Sequence, residues 1–142
     1  MKKYLKFINE SVSPYQDMVM DGILDLDSKD LTKLETLPEG ITNLSCSYNQ
    51  LNSLPELPNS LKYLSCYNNP LECLIPEKFW EQQDKDWFNE YLTKIKSFEF
   101  QEKIIKENKI DVLMDLYKND LIHPEIKQKY PDKFDIIDWG LI

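Results

Sequence analysis

Glycine is scarce in this chain: only Gly22, Gly40 and Gly140 occur in 142 residues, far apart and outside any phosphate-cradling spacing. There is one histidine, His123, beside Pro124, and no motif ties a serine or cysteine to it, so a nucleophile–histidine pair is not expected. The three cysteines, Cys46, Cys66 and Cys73, follow neither a CxxC nor a zinc-site spacing. No metal and no cofactor is expected. No stretch approaches the ~20 consecutive apolar residues of a membrane span. The start, MKKYLKFINE, has the lysines of a signal peptide, but Lys6, Asn9 and Glu10 break the continuous apolar core that one needs. Reduced cysteines and no recognisable export signal lead to a cytoplasmic expectation. Basic residues are outnumbered, giving a net charge of −8. That excess argues against a phosphate-tracking nucleic-acid binder and against adhesion to anionic membranes, while an acidic surface suits a basic protein partner.

What is present is a core-forming chain, 42% hydrophobic and 12% aromatic, with an internal repeat. The stretch Ile41 to Leu74 matches itself when displaced by 20 residues: Leu44 falls on Leu64, Cys46 on Cys66, Asn49 on Asn69, Leu51 on Leu71 and Leu54 on Leu74. A weaker upstream copy keeps the register through Leu24, Leu26, Leu31, Leu34, Leu37 and Pro38. A fixed period of this length predicts units that bury their apolar sides by stacking on one another. The spacing L-x-x-L-x-C-x-x-N-x-L-x-x-L-P resembles the leucine-rich repeat, and the ending Leu54, Pro55, Leu57, Pro58 resembles the short repeats of bacterial secreted effectors. The resemblance implies an α+β fold: a short leucine-rich-repeat solenoid of about three parallel strands over residues 21–76, with an N-terminal leader or cap over 1–20 and a C-terminal α-helical capping region over 77–142. It also implies a binding surface. Some effectors with such repeats carry a ubiquitin-ligase domain with a catalytic cysteine, but no cysteine follows Cys73 here, and no enzymatic activity is expected.

Strand alternation places Leu24 and Leu26, Leu44 and Cys46, and Leu64 and Cys66 inward. It places Ile23, Asp25 and Asp27, then Asn43, Ser45 and Ser47, then Tyr63, Ser65 and Tyr67 outward. With Tyr48, the residues Asn43, Ser45, Ser47, Tyr63, Ser65 and Tyr67 form the expected partner-binding face, because tyrosine among small polar residues combines rigid contact area with adaptable hydrogen bonding. Asn49 and Asn69 are expected to satisfy backbone groups leaving the strands; the first copy has Lys29 instead. Cys46 and Cys66 read as core thiols one strand apart; their distance suits a disulfide, but parallel neighbours rarely present the required dihedral. The prolines on the returning side, Pro38, Pro55, Pro58 and Pro76, predict a non-helical return. The alternating carboxylates from Asp25 to Asp30 lack the glycine and terminal glutamate of a calcium loop and fit a strand with a polar outer face.

After Pro76 the pattern changes. No proline or glycine occurs from Glu77 to Asn119, and apolar residues recur at helical intervals. The periodicity predicts two or three helices, with Asp84 as a cap and breaks near Ser97 and Asn108, then a short helix over Glu125 to Tyr130. Asp84/Asp86 and Asp135/Asp138 read as caps and solvated faces. Phe79, Trp80, Trp87 and Phe88 are expected to seal the open edge of the third repeat, and the apolar tail from Phe134 to Ile142 to fold back onto the helices.

The first ten residues place Tyr4, Leu5 and Ile8 on one helical face, suited to covering the first repeat. They also resemble the leader of the internal head proteins of T-even bacteriophages, M-K-x-Y-x-x-F-I-x-E, through Met1, Lys2, Tyr4, Phe7, Ile8 and Glu10. That resemblance implies packaging into the immature capsid and processing after Glu10, before Ser11. The functional expectation is a protein-interaction module with a protein partner, in the host cytoplasm or the virion if phage-encoded; a structural or assembly element is the alternative.

Overall fold

The computed structural model describes residues 13–135. The N-terminal face of Tyr4, Leu5 and Ile8, the processing pair Glu10 and Ser11, and the tail residues Ile136, Ile137, Trp139, Leu141 and Ile142 lie outside them. The architecture is mixed α and β: a three-stranded parallel sheet followed by helices. The chain divides into two compact units, one through Phe88 and one from Asn89.

The first unit holds β1 (Ile23–Asp25), β2 (Asn43–Ser45) and β3 (Tyr63–Ser65), in the order β1-β2-β3. Their register repeats the sequence period without slippage: Leu24 pairs with Leu44 and Leu44 with Leu64. Leu24, Leu26, Leu44, Cys46, Leu64 and Cys66 are all buried, as alternation requires. Leu51, Leu71, Leu34, Leu37, Ile41, Leu61 and Ile75 complete this core. Leu54, Leu57 and Leu74 are only half-buried. The segments returning between strands contain no helix. Pro38 and Pro58 are buried there, where a missing N–H leaves no donor to satisfy.

One backbone feature recurs with the same period. Ser28, Tyr48 and Asn68 all adopt left-handed φ, at 54°, 59° and 57°. The chain turns off each strand at this point, and the following asparagine stitches the turn. Asn49 Nδ2 donates to the carbonyls of Leu26 (2.9 Å), Cys46 (3.0 Å) and Ser47 (3.2 Å), and its Oδ1 accepts from the amides of Lys29 and Leu31 (both 3.0 Å). Asn69 repeats this one unit later, donating to Cys46, Cys66 and Tyr67 and accepting from Leu51. The first turn, with exposed Lys29, is therefore held by the asparagine of the second repeat.

The far edge of β3 is closed in a way that periodicity does not announce. Glu77–Gln82 forms a 3-10 helix whose Phe79 is buried. Gln82 Oε1 then accepts from Leu64 N (2.7 Å) while its Nε2 donates to Lys62 O (3.1 Å). Gln83 Oε1 accepts from Cys66 N (2.9 Å) while its Nε2 donates to Leu64 O (2.6 Å) and Phe79 O (2.9 Å). Two side-chain amides thus occupy the place of the peptide groups of a fourth strand. Of the aromatic residues expected to seal this edge, Phe79 is buried and Trp80, Trp87 and Phe88 are half-buried.

Cys46 and Cys66 are free, buried thiols. Burial, with Asp27 adding to it, pushes Cys46 up from 9.0 to about 12, and burial with neighbouring Cys46 and Cys73 pushes Cys66 up further. A thiol raised in the folded state stabilises fully below its unfolded pKa and loses that contribution as pH climbs towards the folded one. Stability of the sheet unit should therefore decline between about pH 9 and pH 12. Titration with a thiol reagent at pH 8 should leave both cysteines unmodified until urea unfolds the chain; rapid labelling of either in the native protein would contradict this burial.

Helix α1 (Lys85–Lys96) starts at Asp84, whose Oδ1 accepts from Trp87 N. It is followed by α2 (Phe98–Lys106), α3 (Ile110–Lys118) and α4 (Pro124–Lys129). Ser97 caps α2 by accepting from Phe100 N. Asn108 and Asp120, both left-handed, end α2 and α3 with paired amide bonds back to Ile104/Ile105 and Leu116/Tyr117, the arrangement that satisfies orphan helix carbonyls. Inside the second unit, Gln101 is fully buried: Nε2 donates to Ile95 O and Leu121 O, and Oε1 accepts from His123 N. Glu102 accepts from Lys129 Nζ (2.6 Å) and Tyr130 Oη (2.7 Å), joining α2 to α4, and these donors hold its carboxyl down at about 2. Phe134 is buried, with its ring centroid 6.0 Å from that of Tyr117.

Candidate functional site

The outward side of the sheet has three rows, each crossing all strands: Ile23–Asn43–Tyr63, Asp25–Ser45–Ser65, and beyond the strand ends Asp27–Ser47–Tyr67. In the first row Ile23 and Tyr63 are exposed on either side of half-buried Asn43. Large side chains at both ends and a short one between them leave a shallow groove of about 300 Å³, continued by Ser45, Ser65 and Gln82.

The third row is bonded within itself and to the second. Asp27 Oδ1 accepts from Ser45 Oγ and from Ser47 N, both at 2.7 Å, and Ser47 Oγ lies 2.7 Å from Ser65 Oγ. Ser47 is consequently fully buried, which corrects its placement on the exposed face. The carboxylate of Asp27 holds the Ser47 amide from one side, while the Ser47 hydroxyl meets Ser65 on the other. Strand alternation says only which side of the backbone a residue occupies, not whether a neighbour covers it.

Tyr48 also sits differently from a strand residue. It occupies the left-handed turn, with its ring 56% exposed and its centroid 5.5 Å from that of half-buried Tyr67 in an edge-to-face arrangement. The aromatic surface therefore has two parts, Tyr63 at the start of β3 and the Tyr48–Tyr67 pair about 13 Å further along the strands. Among the described residues, every exposed large hydrophobic side chain lies in the sheet unit: Met18, Met20, Ile23, Tyr48 and Tyr63.

Charge is divided between the units in the same sense. From Ser13 to Phe88 there are thirteen carboxylates against five lysines, whereas from Asn89 to Asp135 there are ten against nine. All the cationic side chains other than His123 are lysines; the chain has no arginine. Asp25 is exposed on the face, and its Oδ1 accepts from Asp27 N.

The sole histidine serves as a helix cap: His123 Nδ1 accepts from Glu125 N at the start of α4, and its ring meets Phe98 edge-on at 5.8 Å. Among the described residues, no three His, Cys, Asp or Glu side chains are grouped to hold a metal ion, and no helix is long and apolar enough to cross a membrane. Gln82, which lines the groove while capping β3, had no signal in the sequence, because a glutamine acquires this role only when the strand edge lies beside it. Compared with protein-family models, with curated proteins and with solved structures, the chain has no match.

Proposed function

We propose that this protein is a non-enzymatic protein-binding module, built on a short leucine-rich-repeat solenoid and engaging its partner through the outer face of the sheet. The observation that carries this reading is Tyr48. A bulky side chain in left-handed backbone costs about 1–2 kcal/mol, and the equivalent positions hold Ser28 and Asn68. A tyrosine there, exposed and braced by Tyr67, is a local cost to stability that a contact role explains.

The test separates binding from folding. Tyr48→Asn should raise the unfolding free energy by about 1 kcal/mol, because asparagine tolerates this backbone, while weakening capture of the partner. Affinity capture with mass spectrometry, comparing the native chain with Tyr48→Asn and Tyr63→Ser, should show one set of proteins lost from both variants. Identical capture by all three chains would remove this face from consideration. If the protein is instead an assembly element, light scattering should show a defined oligomer that the two substitutions disrupt.

A second reading concerns route and rests on the leader, MKKYLKFINE. A phage-encoded protein packaged in the head, cut after Glu10 and released into the host cytoplasm, would carry the same binding face. N-terminal mass spectrometry of virion protein should then find Ser11 first; an intact Met1 in virions would exclude processing.

A further inference from the structure

We propose that the groove on the sheet seats an extended segment of a partner protein in which a lysine or arginine stands two residues from a bulky apolar side chain. This deepens the protein-binding reading and rests on it. The apolar side chain lies between Ile23 and Tyr63, which are 47% and 57% exposed at the two ends of the first row with only Asn43 between them. The cation lies over the next row, at Asp25. Ile23 and Asp25 are neighbours on one face of β1, and an extended partner segment presents its own same-face side chains at the same interval of about 6.6 Å.

Charge selects the sign of that partner. Among the described residues no lysine forms an ion pair with Asp25 or Asp27. The Asp27 carboxylate is held in place by Ser45 and Ser47 through one oxygen, so its charge is fixed at the edge of the face. The carboxylate excess of residues 13–88 gives this unit a net negative charge, which favours a basic segment and repels an acidic one. A second copy of this chain is disfavoured, because its sheet unit carries the same carboxylate excess and like charges repel.

Size selects the form. Three strands span about 10 Å across the ladder, and such a face is smaller than the ~800 Å² per partner of a standard interface between folded proteins. An extended segment makes full use of so narrow a surface, and Gln82 and Gln83 already occupy the β3 edge where strand addition would otherwise compete.

The test uses the full chain and immobilised nine-residue peptides with one central leucine or tyrosine, flanked at two residues' distance by lysines, by glutamates or by serines. Lysine peptides should be retained at least tenfold more strongly than serine peptides, and glutamate peptides not at all. Retention should fall between about 0.1 and 1 M salt, as the screening length drops from about 10 to 3 Å. Asp25→Lys and Tyr63→Ser should each weaken retention of lysine peptides about tenfold, with the circular dichroism of both variants unchanged. Equal retention of the three sets, retention of none, or lysine binding indifferent to both substitutions would overturn the proposal. If partner capture depends on Tyr48 and Tyr63 while no lysine peptide binds, the chemistry assigned to the partner is wrong and the binding face stands. If capture is also indifferent to the face, the binding reading falls as well.

Discussion

Asn49→Leu should lower the unfolding free energy by about 3 kcal/mol. Not all five hydrogen bonds of Asn49 count equally. The Cys46 carbonyl keeps a donor in Asn69, and the Ser47 carbonyl keeps one in the Ser28 amide. Lys29 is exposed, so water can serve its amide. Two groups have no replacement: the carbonyl of Leu26 and the amide of Leu31, whose only partner among the described residues is in each case Asn49. Stranding a buried backbone group costs about 1–3 kcal/mol, so two give roughly the stated loss. Asn49→Asp should be no rescue, since it keeps the acceptor but turns a second carboxylate oxygen towards the carbonyls that Nδ2 now meets. Urea titration followed by circular dichroism checks this; a midpoint displaced by less than the equivalent of about 1 kcal/mol would mean that water replaces the asparagine.

Gln83→Leu should be nearly as damaging, by about 2–4 kcal/mol, and should change the solution behaviour as well. Leucine fills a similar volume but leaves Cys66 N and Leu64 O on the β3 edge without the amide that now meets both. An unpaired strand edge is also a template for another chain. Sedimentation velocity over a concentration series should show self-association of Gln83→Leu beyond that of the native protein. Gln83→Glu should be no rescue, because its second oxygen would face the Leu64 carbonyl. A Gln83→Leu protein with the stability and sedimentation of the native chain would show that the 3-10 helix alone, through Phe79, closes the sheet.

Much of the molecule can be read directly from residue order. The 20-residue displacement of leucine, cysteine and asparagine translates into three parallel strands in unslipped register, because equivalent residues must stack to bury equivalent side chains. Prolines at Pro38 and Pro58 preclude helix on the return, and Asp84, Ser97 and Asn108 mark helix boundaries through short-range bonds that involve only nearby backbone. The leader and the tail beyond Asp135 lie outside the described residues. Of the candidate face, Tyr63 and Ile23 follow from alternation alone, whereas Ser47 does not: it is buried between Asp27 of the preceding repeat, which meets its amide, and Ser65 of the next, which meets its hydroxyl.

Local and periodic interactions are thus set by sequence: which residues face inward, where the chain turns, which asparagine meets which carbonyl. Tertiary structure alone decided the rest. Gln82 and Gln83 become surrogate peptide groups, and Gln101 becomes a buried junction, only because folding brings unpaired amides and carbonyls beside them from 17 to 20 or more residues away. Tyr48 was legible as aromatic, but its left-handed backbone and its brace against Tyr67 depend on the turn geometry of two stacked repeats. The physical reason is the same in each case: a polar side chain has no preferred partner until the fold removes water from a backbone group within its reach.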